Sequence, residues 1–183
     1  MLLRVREIIE RYEPKCEQEA ADKSQMLAFI DRNPDCLTRE NAVAHITASS
    51  WIVDPARERA LMAYHNIYKS WSWTGGHADG DADLLAVALR EAGEETGIVA
   101  SPASVEPASI ESLHVAGHVR RGRYVSAHIH MNVSYLLIAD PEAPICHKAD
   151  ENSAVRWIPF ANVNEMCSEP DMRPIYEKLM KRA

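Results

Sequence analysis

The first apolar residues of the chain recur at helical spacing. Leu2, Val5, Ile9 and Tyr12 share one side, with Arg and Glu on the other. This pattern predicts helix over about 2–30, divided in two by Pro14, whose ring does not fit a helix interior. Asn33-Pro34-Asp35 marks a turn. From about Ala42 the period becomes two: Ala44, Ile46, Ala48 and Ile52 alternate with His45, Thr47, Ser49 and Trp51, as in a strand. Asp54-Pro55 ends it, and Arg59 to His65 reads as a second, hairpin-related strand. Trp71 to His77 leads into an acidic loop, followed by a helix over about 83–96. Gly97 stands where a helix C-terminus favours a left-handed residue. Two long β segments follow, near 109–119 and 124–138, with Arg121-Gly122-Arg123 at the turn between them. A short strand near 155–158 and a helix from about Asp171 complete the pattern. No internal repeat is present. Strands interleaved with a few helices predict α/β or α+β layers rather than a bundle.

Composition narrows this picture. A chain of 183 residues, 46% hydrophobic and 26% charged, is long and apolar enough for one compact domain, which excludes a disordered chain or a fibre. No uncharged run approaches the roughly 18 residues of a membrane span. Arg4, Arg6 and Glu7 break up the start, unlike a signal peptide. Twenty basic against 27 acidic residues leave a net charge of −7, which disfavours nucleic acid and anionic membranes as partners and suits a protein that gathers cations. Cys16, Cys36, Cys146 and Cys167 are far apart, which argues for reduced structural thiols and against a disulfide framework or a thiolate zinc site. The expected location is the cytoplasm. The N-terminal helices carry no recognisable chemistry; they read as a helical cap or as the contact of a homodimer.

The chemistry concentrates between Gly75 and Ile98, GGHADGDADLLAVALREAGEETGI. Leu85, Ala88, Leu89 and Ala92 share the face expected to be buried. Glu91, Glu94 and Glu95 stand at i, i+3 and i+4, so their carboxylates cluster on another face. Like charges at this spacing repel, and the last turn of a helix disfavours anions. A hard divalent cation reverses both penalties, and carboxylate oxygens are what Mg²⁺ and Mn²⁺ prefer.

Set from Gly76, this stretch resembles the box of the Nudix hydrolase family, G-x5-E-x7-R-E-U-x-E-E-x-G-U with U a bulky aliphatic. Gly76, Arg90, Glu91, Glu94, Glu95, Gly97 and Ile98 fall in register. The H-I-T-A-S strand before the box and the D-E-N-S-x-V-x-W-I-P segment after it are similar to Nudix flanks, so the likeness runs from about Asn41 to Asn164. It implies a Nudix-like α/β/α sandwich with a mixed sheet over residues 41–183, preceded by an N-terminal helical extension over residues 1–40. It also implies a pyrophosphohydrolase: with Mg²⁺ or Mn²⁺ as cofactor, water attacks phosphorus in a diphosphate linked to another moiety, of the nucleoside diphosphate-X type. In that reading Gly76, Glu91, Glu94 and Glu95 serve the metal, while Arg90 orients a neighbouring Glu. A general base comes from a box Glu or from Glu151 in a later loop. Two positions depart from the pattern: Ala82 replaces the first Glu, and Ala92 stands for the bulky aliphatic. The lost carboxylate keeps open a non-catalytic, ligand-binding or regulatory Nudix domain. Asp81 or Asp83 could take its place.

Beyond the box, one face of the strand from Val125 carries Ser126, His128, His130, Asn132 and Ser134, which either meets water or lines a polar cavity. His128 and His130 suit phosphate or base recognition; as transition-metal ligands they lack a third partner obvious from sequence. Arg121 and Arg123 offer guanidinium groups to phosphate or form a charged hairpin tip. Trp73 stacks on a base or packs in the core, and His77 is placed to face phosphate.

Overall fold

The computed structural model describes residues 2–120 and 122–183, with Arg120 described by its backbone. The predicted helical start is two helices, α1 (Leu2–Arg11) and α2 (Glu17–Ile30), with Pro14 in the break. The strands are β1 (Ala44–Val53), β2 (Arg59–His65), β3 (Ser70–Ser72), β4 (Thr74–His77), β5 (Ala100–Pro102), β6 (Ser109–Val115), β7 (His118–Arg120), β8 (Arg123–Val125), β9 (His128–Ala139) and β10 (Asn152–Pro159). The remaining helices are α3 (Leu84–Thr96), α4 (Phe160–Met166) and α5 (Arg173–Met180).

Among the described residues, eight strands form one mixed sheet along the path β10-β2-β1-β9-β5, with β3 on β2, β4 on β1 and β6 on β9. Its spine is the parallel pair of β1 and β9, in register from Ala44 opposite Ile129 to Val53 opposite Ile138. Both faces of β1 are buried throughout. Strand alternation then sorts the core into two layers. Ala44, Ile46, Ala48, Met131, Val133 and Tyr135 pack with α1, α2 and α3. Trp51, Val53, Leu136 and Ile138 pack with α4 and α5, where Trp51 stacks on Tyr176 at 5.2 Å between ring centroids. This is the α/β/α sandwich expected, and the N-terminal helices share its larger core. Among the described residues, no helix is long and apolar enough to cross a membrane.

Four features differ from the expectation. β3, β4, β5 and α4 are additional elements, and β4 holds Gly75, Gly76 and His77 in a strand rather than a loop. The long hairpin is interrupted: β6 stops at Val115, and β7 with β8 forms a separate two-stranded ribbon. Gly117 sits in the interruption, where the Tyr124 hydroxyl fills the space a Cβ would need. Asn132 and Ser134 neither meet water nor line an open cavity; both are buried in hydrogen bonds to Glu111.

Candidate functional site

The box helix α3 is capped at both ends. Asp83 accepts a hydrogen bond from the Ala86 amide at 3.1 Å, and Gly97 adopts φ 70 with its N–H on the Gly93 carbonyl. These caps stabilise a helix that ends on three carboxylates. The buried side is Leu84, Val87, Ala88 and Ala92, with Leu85 and Leu89 at its margin. Glu95 continues this buried side rather than lying apart from it. The three carboxylates therefore fan from interior to surface: Glu95 is 5% exposed, the Glu91 side chain 15% and the Glu94 side chain 48%.

Each carboxylate has distinct partners. Glu95 accepts the Gly75 amide at 2.8 Å and the Asn152 side-chain amide at 2.9 Å, tying α3 to β4 and β10. Burial pushes its carboxyl up to about 7, against the lowering effect of those two hydrogen bonds. Burial also raises Glu91, and the Glu94 charge adds to this while Arg90 and Lys148 oppose it. A Cβ on Gly76 would fall 2.5 Å from Glu91 Cδ, so only glycine lets this strand lie against that carboxylate. Glu94 faces the Lys148 ammonium at 3.4 Å, and the same ammonium meets Glu151 at 3.2 Å. The fold thus brings the outlying Glu151 to the box, joined to Glu94 by a shared cation.

Arg90 lies 3.5 Å from Glu91, 4.0 Å from Glu94 and 3.8 Å from Asp81. It is placed to hold carboxylates, and Asp81 supplies one where the pattern has lost Glu to Ala82. Ala82 itself is in the apolar core. Asp83 is engaged elsewhere, as the helix cap and in an ion pair with Arg4 at 2.8 Å.

The remaining candidates separate. His77 follows Gly76 but projects to the opposite face of the sheet, where its ring lies 4.9 Å from His45 and 4.8 Å from His130. His128 and His130 belong to the same group. Burial, together with the neighbouring imidazoles, pulls His130 well below the ordinary histidine range, and burial likewise lowers His45. Trp73 packs edge-on against Tyr176 at 5.6 Å, and its amide meets the Tyr176 hydroxyl. Arg123 is exposed on the β7–β8 ribbon, and Arg121 lies outside the described residues.

Sequence reasoning missed Lys148, Asn152 and His45. Lys148 and Asn152 flank Glu151 and carried a visible polar signal. His45 gave none, because only the pairing of β1 with β9 brings it to His130.

The family profile described as the NUDIX domain matches residues 43–181. The chain belongs to the Nudix family. At that level it is a pyrophosphohydrolase of the Nudix type. Similar folds occur in a NUDIX-family hydrolase from Clostridium perfringens, with TM-score 0.57 and 16% identity over 75% of this chain and 96% of that one. The E. coli dihydroneopterin triphosphate pyrophosphohydrolase gives 0.56 and 16%, with the same coverage. The NUDIX domain of Shewanella oneidensis NrtR, solved with ADP ribose, gives 0.51 and 22% over 75% and 86% of the two chains. At these identities the likeness concerns the fold. No curated protein sequence matches this Nudix chain significantly.

Proposed function

We propose that this Nudix domain hydrolyses a diphosphate linked to another moiety, of the nucleoside diphosphate-X class, with Mg²⁺ or Mn²⁺ held by Glu91, Glu94, Glu95 and the Gly76 backbone. The observation that carries this reading is the convergence of Glu94 and Glu151 on one cation, the Lys148 ammonium, beside Glu91. The donors are carboxylate oxygens, as a hard divalent ion requires. The close approach of Gly76 to Glu91, too tight for any Cβ, brings the strand backbone within reach of an ion held by that carboxylate. Bound there, the cation would neutralise phosphate oxygens and acidify water.

The protein's own groups do the rest. Glu95 is a positioning residue as well as a proposed ligand, because its bonds to Gly75 and Asn152 fix the strand against the helix. Arg90 orients Glu91 and Glu94 by charge-assisted contact. Glu91 and Glu151 are the two candidates to take the proton from attacking water. Glu91 is favoured by its raised carboxyl and Glu151 by its outer position. The Asp81 contact to Arg90 offsets the loss at Ala82, which favours a catalyst over the purely ligand-binding alternative. The substrate is a small molecule, and a cytoplasmic location fits that role. The N-terminal helices would carry the contact of a homodimer.

The test is a panel of nucleoside triphosphates, nucleotide sugars, dinucleotide polyphosphates and coenzyme-linked diphosphates with Mg²⁺ or Mn²⁺, read by released phosphate or monophosphate. Hydrolysis of one class, abolished in Glu94→Gln, is the expected outcome. Silence across the panel, with ligands still raising the melting temperature of the wild type, would establish the binding module instead.

A further inference from the structure

The structure assigns a second metal site to this protein, distinct from the carboxylate box: His45, His77, His128 and His130 form a nitrogen-only cage for a transition metal of the Zn²⁺ class. The four residues come from three strands. His45 on β1 is directly opposite His130 on β9, and His77 on β4 is opposite Thr47, one step along the same face of β1. His128 joins from the next position on the His130 side of β9. One ligand nitrogen from each ring lies within 4.8 Å of all the others. A tetrahedral ion with bonds of about 2.0–2.1 Å holds its ligands roughly 3.3 Å apart, so the rings need only contract around it. The Nε2 atoms of His128 and His130 are already 3.1 Å apart.

The orientation of two rings is independent support. His45 Nδ1 donates to the Asn41 carbonyl at 3.0 Å, and His128 Nδ1 donates to the Ser126 carbonyl at 2.8 Å. A donor bond at Nδ1 fixes the tautomer that presents a bare Nε2 lone pair, as metal-binding imidazoles do. His45 is 4% exposed, and its Nε2 is buried without any hydrogen-bond partner. A buried acceptor left unsatisfied destabilises the fold, and a metal bond would remove that penalty.

Four imidazoles without a carboxylate or thiolate select Zn²⁺, Cu²⁺, Ni²⁺ or Co²⁺ over Mg²⁺. The site is therefore chemically orthogonal to the box. It is also on the other face of the sheet: Gly76 turns toward Glu91, and His77, the next residue, turns toward the histidines. An ion here would clamp β4 to β1 and β9 one residue from Gly76, making it a structural brace for the strand that Glu95 holds from the other side.

The test uses the full chain, stripped of metal and titrated with Co²⁺ as a spectroscopic probe. One equivalent should give the intense visible band of a four-coordinate nitrogen site, bleached by Zn²⁺ and retained in Glu94→Gln. Affinity should fall more than about tenfold in His77→Gln and in His130→Gln. Zn²⁺ at a hundredfold excess over its Kd should raise the wild-type melting temperature by roughly 5–10 °C. A weak octahedral spectrum, or a band lost in Glu94→Gln and kept in the histidine variants, would overturn the assignment. Should the histidine variants fail to fold, the spectra of wild type and Glu94→Gln decide alone. Neither result depends on finding a substrate, so the cage and the hydrolase reading can fail separately.

Discussion

Replacing Glu19 with Gln probes how firmly the N-terminal helices are bound to the Nudix sheet. Glu19 is fully buried on α2. It accepts hydrogen bonds from Lys178 at 3.0 Å, Ser109 at 3.1 Å and the Lys15 amide at 2.8 Å, and pairs with Arg182. Lys178 also holds Glu111 at 2.8 Å, and Glu111 passes the network to Asn132 and Ser134 on β9. Burial alone would raise the Glu19 carboxyl, but the bonds from Arg182, Lys15 and Lys178 outweigh it and lower the pKa from 4.5 to about 2. A carboxyl lowered that far contributes about 3 kcal/mol of stability. Because the folded value is depressed, the contribution is complete above the unfolded value and disappears as pH falls through 4.5 toward 2. Glu19→Gln should therefore be less stable than wild type by about 3 kcal/mol at pH 7, narrowing to about 2 kcal/mol at pH 3.5. Urea denaturation at both pH values, followed by tryptophan fluorescence, measures the two gaps. A gap below about 1 kcal/mol at pH 7, or one that does not narrow on acidification, would mean that Glu19 does not hold the helices in this way.

Other perturbations address the site. Gly76→Ala pushes a methyl into Glu91 Cδ at 2.5 Å; since a side-chain end can yield, the melting temperature should hold while turnover falls about a hundredfold. Ala82→Glu should not restore activity, because Asp81 already meets Arg90; instead it should cost about 1–3 kcal/mol on entering the core, and a tenfold gain in turnover would contradict this. Lys148→Met removes the ammonium between Glu94 and Glu151, so calorimetry should find Mg²⁺ bound about fivefold more tightly.

The sequence was most informative where local rules decide structure. Pro14 divides the first two helices, period-two alternation marks β1 and β9, and Gly97 ends α3 in the left-handed conformation its position demands. Box spacing placed Glu91, Glu94 and Arg90 together because one helix carries all three. Long-range pairing was not legible. The polar row on β9 has the alternation of a solvent-facing strand, yet Asn132 and Ser134 are buried, bonded to Glu111 on β6 and, for Asn132, to Thr47 and Ser49 on β1. His128 and His130 were visible as a pair, whereas His45 joins them through the parallel pairing of β1 with β9 and His77 through the antiparallel pairing of β4 with β1, neither of which a local pattern encodes. The separation of Glu95 from its neighbours was hidden too. Helical spacing puts it beside Glu94, and only the approach of Gly75 and Asn152 makes it interior.

The proposed hydrolysis requires that water attack phosphorus under the control of the box carboxylates. Turnover of the diphosphate substrate in ¹⁸O-labelled water with Mg²⁺ or Mn²⁺, analysed by mass spectrometry, tests it most directly. One labelled oxygen on a phosphoryl product per turnover is expected, and no product from Glu94→Gln of unchanged melting temperature. Turnover with no label on phosphorus, or equal turnover in Glu94→Gln, would contradict it.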